Sequence, residues 1–267
     1  MTRTLILTGN FLRAILRDRV LYAVLGVAGA MILMVPSLSS FSMRQVQELA
    51  ITLSISTVSV SLLVITLLLG SSSIWRDVES RYTTSILTMP VSRTEFLLSK
   101  FASISLFLLL CTLILGLGSA VVISLARISY PSDLPVHWMN ITLALAGSLL
   151  KYQLLAAFAL LLSTVSTSFY LPFFSTLVIY FCGSASQEVF EYVSSEFGQA
   201  MSPFAGKTVT AAYYLLPNLS AFDFQVHAVY GLNISVQGFL LVILYVLVYT
   251  GFLLGVAIYA FSRRQLP

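Results

Sequence analysis

The chain has 267 residues, of which 58% are hydrophobic and only 9% are Asp, Glu, Lys or Arg, and its mean hydropathy is +0.95. Soluble domains run near a quarter charged, so this composition leaves no soluble domain of useful size and points to an all-α, polytopic membrane protein. The net charge of +4 does not require nucleic acid as a partner, because the basic residues cluster where a membrane protein places them.

Residues 1–19, "MTRTLILTGNFLRAILRDR", read as an interfacial helix. Leu5, Phe11, Leu12, Ile15 and Leu16 share one face, while Arg13, Arg17 and Arg19 reach towards lipid headgroups. A signal peptide with Val20–Val35 as its apolar core would need a far shorter charged region. Six spans follow in order, each near the length that crosses a bilayer: Val20–Val35, Leu49–Gly70, Phe101–Ala126, Trp138–Ser163, Ser168–Gly183 and Val236–Phe261. "TLSISTVSVSLLV" in the second alternates with period two, a strand signal. The long unbroken apolar runs elsewhere do not fit the short dyads of a membrane barrel, and they overrule it. Pro172, near the start of the fifth span, suits the first turn of a helix.

Lys and Arg set the orientation. With both termini in the cytoplasm, Arg3, Arg13, Arg17, Arg19, Arg76, Arg81, Arg93, Lys100, Arg263 and Arg264 lie inside. Only Arg44, Arg127 and Lys207 lie outside, so ten basic residues stand against three. The stretch 75–100, "WRDVESRYTTSILTMPVSRTEFLLSK", is then a cytoplasmic loop, and it carries seven of the chain's 24 charged side chains. It is not built like a floppy linker. Ile86, Leu87 and Met89 sit among hydroxyls, Pro90 breaks the element, and Ser92–Glu95 form a capping-box pattern that opens the next helix. Apolar side chains and both charge signs facing the cytoplasm make a docking surface.

On the outer side, "SQEVFEYVSSEFG" sets Val189, Phe190, Val193 and Phe197 against Glu188, Glu191 and Glu196, as a short amphipathic helix would. "YYLLPNLSAFDF" carries a Pro-Asn turn signal between aromatics and reads as a structured, re-entrant loop anchored at the interface.

The motif Glu79-x-Arg81 followed by "SILTMPVSRTEFLLSKF" resembles the signature loop of type-2 ABC exporter permeases, on which Glu79, Pro90, Val91, Ser92, Arg93 and Lys100 fall. Ser99 stands where that family usually has glycine. "LLPNLSAFDF" is similar to the branch of those permeases associated with copper processing and multicopper-enzyme maturation. The resemblance implies one transmembrane permease domain over 1–267, with an interfacial helix at 1–19, a coupling loop at 75–100 and an extracytoplasmic loop at 184–235. It implies a multi-pass protein of the bacterial cytoplasmic membrane that works as a homodimer or heterodimer among membrane lipids. Two copies of a separate ATPase subunit would bind ATP and Mg, leaving no cofactor in this chain and making it a transport subunit rather than an enzyme. Glu79, Arg81 and Arg93 would make polar contacts with that ATPase, and Ile86, Leu87 and Met89, turned by Pro90, would form the apolar plug. The same coupling could instead drive mechanical work on a periplasmic or envelope protein. A secondary transporter or scaffold without an ATPase is the reading from another class.

Other signals are weaker. Gly206, Lys207 and Thr208 end like a phosphate-cradling loop, but Met201 occupies the place of the first glycine. Met31 with Met34, and His137 with Met139, lack the thiolate a copper path would want, and core filling accounts for the methionines. Cys111 and Cys182 read as small buried hydrophobes. His137 and His227 are the only histidines, and no hydrolase motif surrounds them. Lys151 stands mid-way along the fourth span, where it should face protein or a wet cavity. It contacts either an anionic substrate or gate, or makes an interhelical hydrogen bond to Tyr152, Gln153 or a backbone carbonyl. Thr52, Ser54, Ser56, Thr57, Ser59 and Ser61 on the second span either let helices approach closely or, with Ser56 and Ser59 foremost, line a translocation path at a dimer seam.

Overall fold

The structure is a computed structural model that describes residues 2–42, 45–79, 92–129, 135–195 and 203–263. The regular structure among these residues is all helical, with no strand. In chain order the helices are α1 (Thr2–Ile15), α2 (Arg19–Ser39), α3 (Val46–Glu79), α4 (Arg93–Ser129), α5 (Trp138–Val165), α6 (Tyr170–Ser194), α7 (Pro203–Leu215), α8 (Gln225–Tyr230) and α9 (Val236–Arg263), with a 3-10 turn at Ser220–Phe222. Five of them, α2, α3, α4, α5 and α9, are long and apolar enough to cross a membrane. The chain is therefore a multi-pass membrane protein.

The period-two stretch lies inside α3, a single helix of 34 residues. Helix closes every backbone hydrogen bond within one segment, which an apolar surrounding demands and a lone strand cannot supply. Helices α3 and α4 overshoot the spans expected from hydropathy. Helix α3 continues nine residues past Gly70 to Glu79, and α4 begins eight residues before Phe101. Charged residues lower hydropathy without opposing helix, so the apolar runs end where the helices do not.

Helix α6 contains the apolar stretch expected as the fifth span and runs on to Ser194. The short amphipathic helix expected after it is continuous with α6, because nothing between Gly183 and Ser194 breaks the helix. Pro172 sits in its first turn.

Helices α3 and α5 make the most extensive contact in the bundle, and α4, α2 and α9 pack around them. Leu62, Ile65, Leu155, Ala156 and Leu160 form the centre of the core and are fully buried. Two glycines allow close approaches. A Cβ on Gly70 would overlap Ala159 Cβ, so α3 and α5 touch almost backbone to backbone there. A Cβ on Gly147 of α5 would meet the Phe222 carbonyl oxygen at 2.6 Å.

That second contact places the non-helical segment around Leu216–Phe224 inside the bundle, against the middle of α5. Leu219 N donates to Gly183 O (3.0 Å) and Ser220 Oγ to Ser184 O (2.6 Å), docking the segment on α6. Asn218 is the hub: its Nδ2 donates to Gln187 Oε1 (2.8 Å), its N to the Tyr245 hydroxyl (3.2 Å), and its Oδ1 accepts from Ser220 N (3.1 Å). Leu219 and Phe222 are buried beneath it. The turn signal in "LLPNLSAFDF" thus marks an ordered segment.

Candidate functional sites at the α3–α4 joint and around Lys151

Helices α3 and α4 flank residues 80–91, and their facing ends are tied together. Lys100 Nζ lies 2.6 Å from Asp77 Oδ2, with the two side chains only 13% and 12% exposed. The same ammonium sits 4.4 Å from the centre of the Phe11 ring, so α1 closes over the pair. Ser99 Oγ and Ser103 Oγ donate to Thr4 O (3.3 Å) and Thr8 O (3.0 Å), fixing α1 along α4. At the far end of α1, Asp18 caps α2 by accepting from Val20 N (3.0 Å) and pairs with Arg76 of α3 (3.0 Å). A cavity of about 110 Å³ lies between these groups, lined by Phe11, Asp18, Arg76, Asp77 and Lys100 among others.

The start of α4 has the reciprocal capping geometry. Ser92 N and Oγ donate to Glu95 Oε2 (2.9 and 3.0 Å), and Glu95 N donates to Ser92 Oγ (3.1 Å). Arg93 Nη1 donates to Phe261 O (3.0 Å) and Ser262 O (2.9 Å), two of the carbonyls that the end of α9 cannot bond internally. One residue therefore ties the start of α4 to the end of α9.

A second polar group lies mid-bundle. Lys151 is thirteen residues from Trp138 and fourteen from Val165, so it stands roughly 20 Å from either end of α5. A charge at such a position costs roughly 2.5–3.5 kcal/mol even on the lenient insertion scale. Its Nζ lies 4.9 Å from the centre of the Tyr180 ring and 6.0 Å from that of Tyr152, contacts worth roughly 2 kcal/mol where water is excluded. The two rings stack at 6.4 Å. The Tyr152 hydroxyl, on a fully buried side chain, bonds to Ser59 Oγ at 2.6 Å. One turn before Ser59 on α3, Ser56 Oγ accepts from Gln225 Nε2 at 3.2 Å. Helices α3, α5, α6 and α8 meet here, with Asp223 exposed just before α8.

Residues 16–183 match the family model described as an ABC-2 family transporter protein, which covers more than half of the chain. The chain belongs to that family. No curated protein matches it. As an ABC-2 transporter it is a membrane transport component of a family that generally works with an ABC ATPase.

In this ABC-2 transporter the residues expected at the coupling loop divide by position. Glu79 ends α3 and is exposed, and Arg93 opens α4 and holds α9. Arg81, Ile86, Leu87, Met89 and Pro90 lie outside the described residues. Of the residues expected on a translocation path, Ser59 bonds the hydroxyl of Tyr152, Ser56 accepts from Gln225, and Lys151 faces the rings of Tyr180 and Tyr152. Lys151 has no hydrogen-bond acceptor among the described residues: the expected bond to Tyr152, Gln153 or a carbonyl is replaced by the ring of Tyr180. Sequence reasoning missed Asp77, Tyr180, Asp223 and Gln225. Asp77 had a signal, since an acid at the end of one long helix and a lysine near the start of the next bracket the same loop.

Proposed function

We propose that this chain is the membrane subunit of an ATP-driven exporter, and that work done by a separate ATPase enters through 75–100. In this reading 1–267 is one permease domain with six crossings, and the apolar half of α6 supplies the fifth. Both termini and the loop face the cytoplasm, and 184–235 faces the outside of a bacterial cytoplasmic membrane. Two copies of the permease stand on two copies of the ATPase, which bind ATP and Mg. Glu79 and Arg81 make polar contacts with the ATPase, and Ile86, Leu87 and Met89, turned at Pro90, fill an apolar cleft on it.

The observation that supports this reading best is the fastening of both loop stalks. Asp77–Lys100 joins α3 to α4, α1 is stapled along α4, and Arg93 joins α4 to α9. A connector with no mechanical duty gains nothing from a buried ion pair across its base, since such a pair is weak evidence for stability alone. A displacement of the loop by closing ATPases would move α1, α3, α4 and α9 together and, through the α3–α5 contact, carry Lys151 against Tyr180 on α6. The segment resembling the copper-processing branch acts as packing, through Asn218, Leu219 and Phe222, so the substrate is not assigned to copper.

The test is affinity purification of the tagged chain from its own host, with ATP hydrolysis measured in the eluate. Wild type should retain a nucleotide-hydrolysing protein, and the double variant Ile86→Asp, Leu87→Asp should lose it at least tenfold while purifying in normal yield. Equal retention by both refutes the assignment of the loop.

A further inference from the structure

We propose that Lys151 is the recognition group of an oxyanion site: the carboxylate or phosphate of a ligand seats on its ammonium, against the Tyr180 ring, between α3, α5, α6 and the Asp223–Gln225 corner. This rests on reading Lys151, Ser56 and Ser59 as part of a translocation path, and it names the chemistry that the path accepts.

The argument starts from an unused valence. An ammonium has three hydrogen-bond donors and no acceptor. Among the described residues no acceptor takes a hydrogen bond from it, and the cation lies over the faces of Tyr180 and Tyr152. Rings attract the charge but leave the directional bonds open. The Tyr152 hydroxyl is held on Ser59 rather than on Lys151. Asp223 does not close the gap either. It lies beyond ion-pair distance from Lys151, and its Oδ1 accepts from the backbone N of Gln225 at 3.0 Å.

The surroundings are those of a site rather than of a sealed core. Lys151 is half-buried and Asp223 is exposed. One turn along α5 at Gly147, the non-helical backbone of Phe222 presses against the helix. Irregular backbone at membrane depth is tolerated where it is buried in protein or lines a wet cavity. Ser56 and Gln225 offer a second rank of polar groups from α3 and α8. A cation would be repelled by Lys151, and a neutral apolar solute would leave its donors unfilled. An oxyanion satisfies them.

The shared chemistry could arrive on a free amphiphile or on a phospholipid headgroup, and the experiment separates the two. The full-length permease alone is placed in phosphatidylcholine nanodiscs, without ATPase or nucleotide, so loss of the ATPase partnership would leave the result untouched. Retention of laurate, and separately of phosphatidylglycerol against phosphatidylcholine, is counted by native mass spectrometry. Wild type should hold one of these anions at least tenfold above the neutral lipid, laurate identifying a carboxylate solute and phosphatidylglycerol a headgroup. K151M should lose the preference and K151R keep it, with thermal midpoints in pure phosphatidylcholine confirming that each variant is folded. Should K151M not fold, Tyr180→Leu removes the ring behind the cation and should weaken retention several-fold. No preference in wild type, or an unchanged preference in K151M or in Tyr180→Leu, overturns the proposal.

Discussion

Breaking the Asp77–Lys100 pair from either side tests whether the α3–α4 joint is a coupled charge pair or two incidental polar residues. At 2.6 Å and an effective dielectric near 20, the attraction is about 6 kcal/mol. Desolvating both ions costs several kcal/mol each, so the intact pair is close to neutral for folding. Removing one partner is different, because it strands the other charge in a site where both side chains are seven-eighths covered. Such single removals cost roughly 3–5 kcal/mol. Either residual charge keeps a neighbour: the Asp77→Asn ammonium faces the Phe11 ring at 4.4 Å, and the Lys100→Met carboxylate shares its cavity with Arg76. Each single variant should therefore destabilise by about 3–5 kcal/mol, and the double variant by less than the larger single. The measurement is reversible unfolding by SDS titration in mixed micelles for the four proteins. Additive single effects, or singles within about 0.5 kcal/mol of wild type, would refute the reasoning.

Two further substitutions test the packing that positions the sites. Gly147→Ala would drive a methyl to 2.6 Å from the Phe222 carbonyl oxygen and 2.7 Å from Phe224 Cδ2, so it should cost roughly 1–3 kcal/mol and raise thiol labelling at Ser220→Cys; Gly251→Ala, with nothing within 4 Å, should change neither. Ser92→Ala removes both Oγ bonds of the capping exchange at the start of α4, leaving the bond from Ser92 N to Glu95, and should cost about 1 kcal/mol, read as faster amide exchange in that first turn, whereas Ser92→Asn should recover most of it.

What the sequence discloses follows the range of the interaction. Apolar runs locate the helices because a bilayer-length hydrophobic stretch is a local property. The Ser92–Glu95 box is legible for the same reason: both residues lie within one turn, and the bonds form as the spacing requires. The overshoot of α3 and α4 is hidden, since Arg76, Asp77 and Glu79 depress hydropathy while helix geometry accepts them. Asp77 and Lys100 are 23 positions apart with an intervening loop, and no periodicity connects them. Lys151 announces itself because a mid-span charge is expensive wherever it points. Its neighbours do not: Tyr180 is one aromatic among many on α6, and Gln225 reaches Ser56 only because the segment before α8 folds into the bundle.

The two sites share one element, and the contacts along it decide what can move. Helix α3 carries Asp77 near one end and Ser59 eighteen residues away, about 27 Å along a continuous helix. Between them Gly70 sits against Ala159, and Ser163 of α5 bridges the pair by donating to Ser71 O (3.1 Å) and accepting from Ile74 N (3.3 Å). Sliding α3 past α5 would break those bonds and force two backbones through each other's van der Waals surfaces. A force applied at the loop therefore reaches the Lys151 region through α3 and α5 moving as one body, with the Ser59–Tyr152 bond preserved. The polar contacts across to α6 and α8 are the Lys151–Tyr180 face contact, the bonds from Gln225 Nε2 to Ser56 Oγ and Thr52 O, and those from Asn140 Nδ2 to His227 O and Leu232 O. None of them is a buried ion pair. The seam around the Lys151 cation, rather than the α3–α5 core, is where this bundle opens most easily.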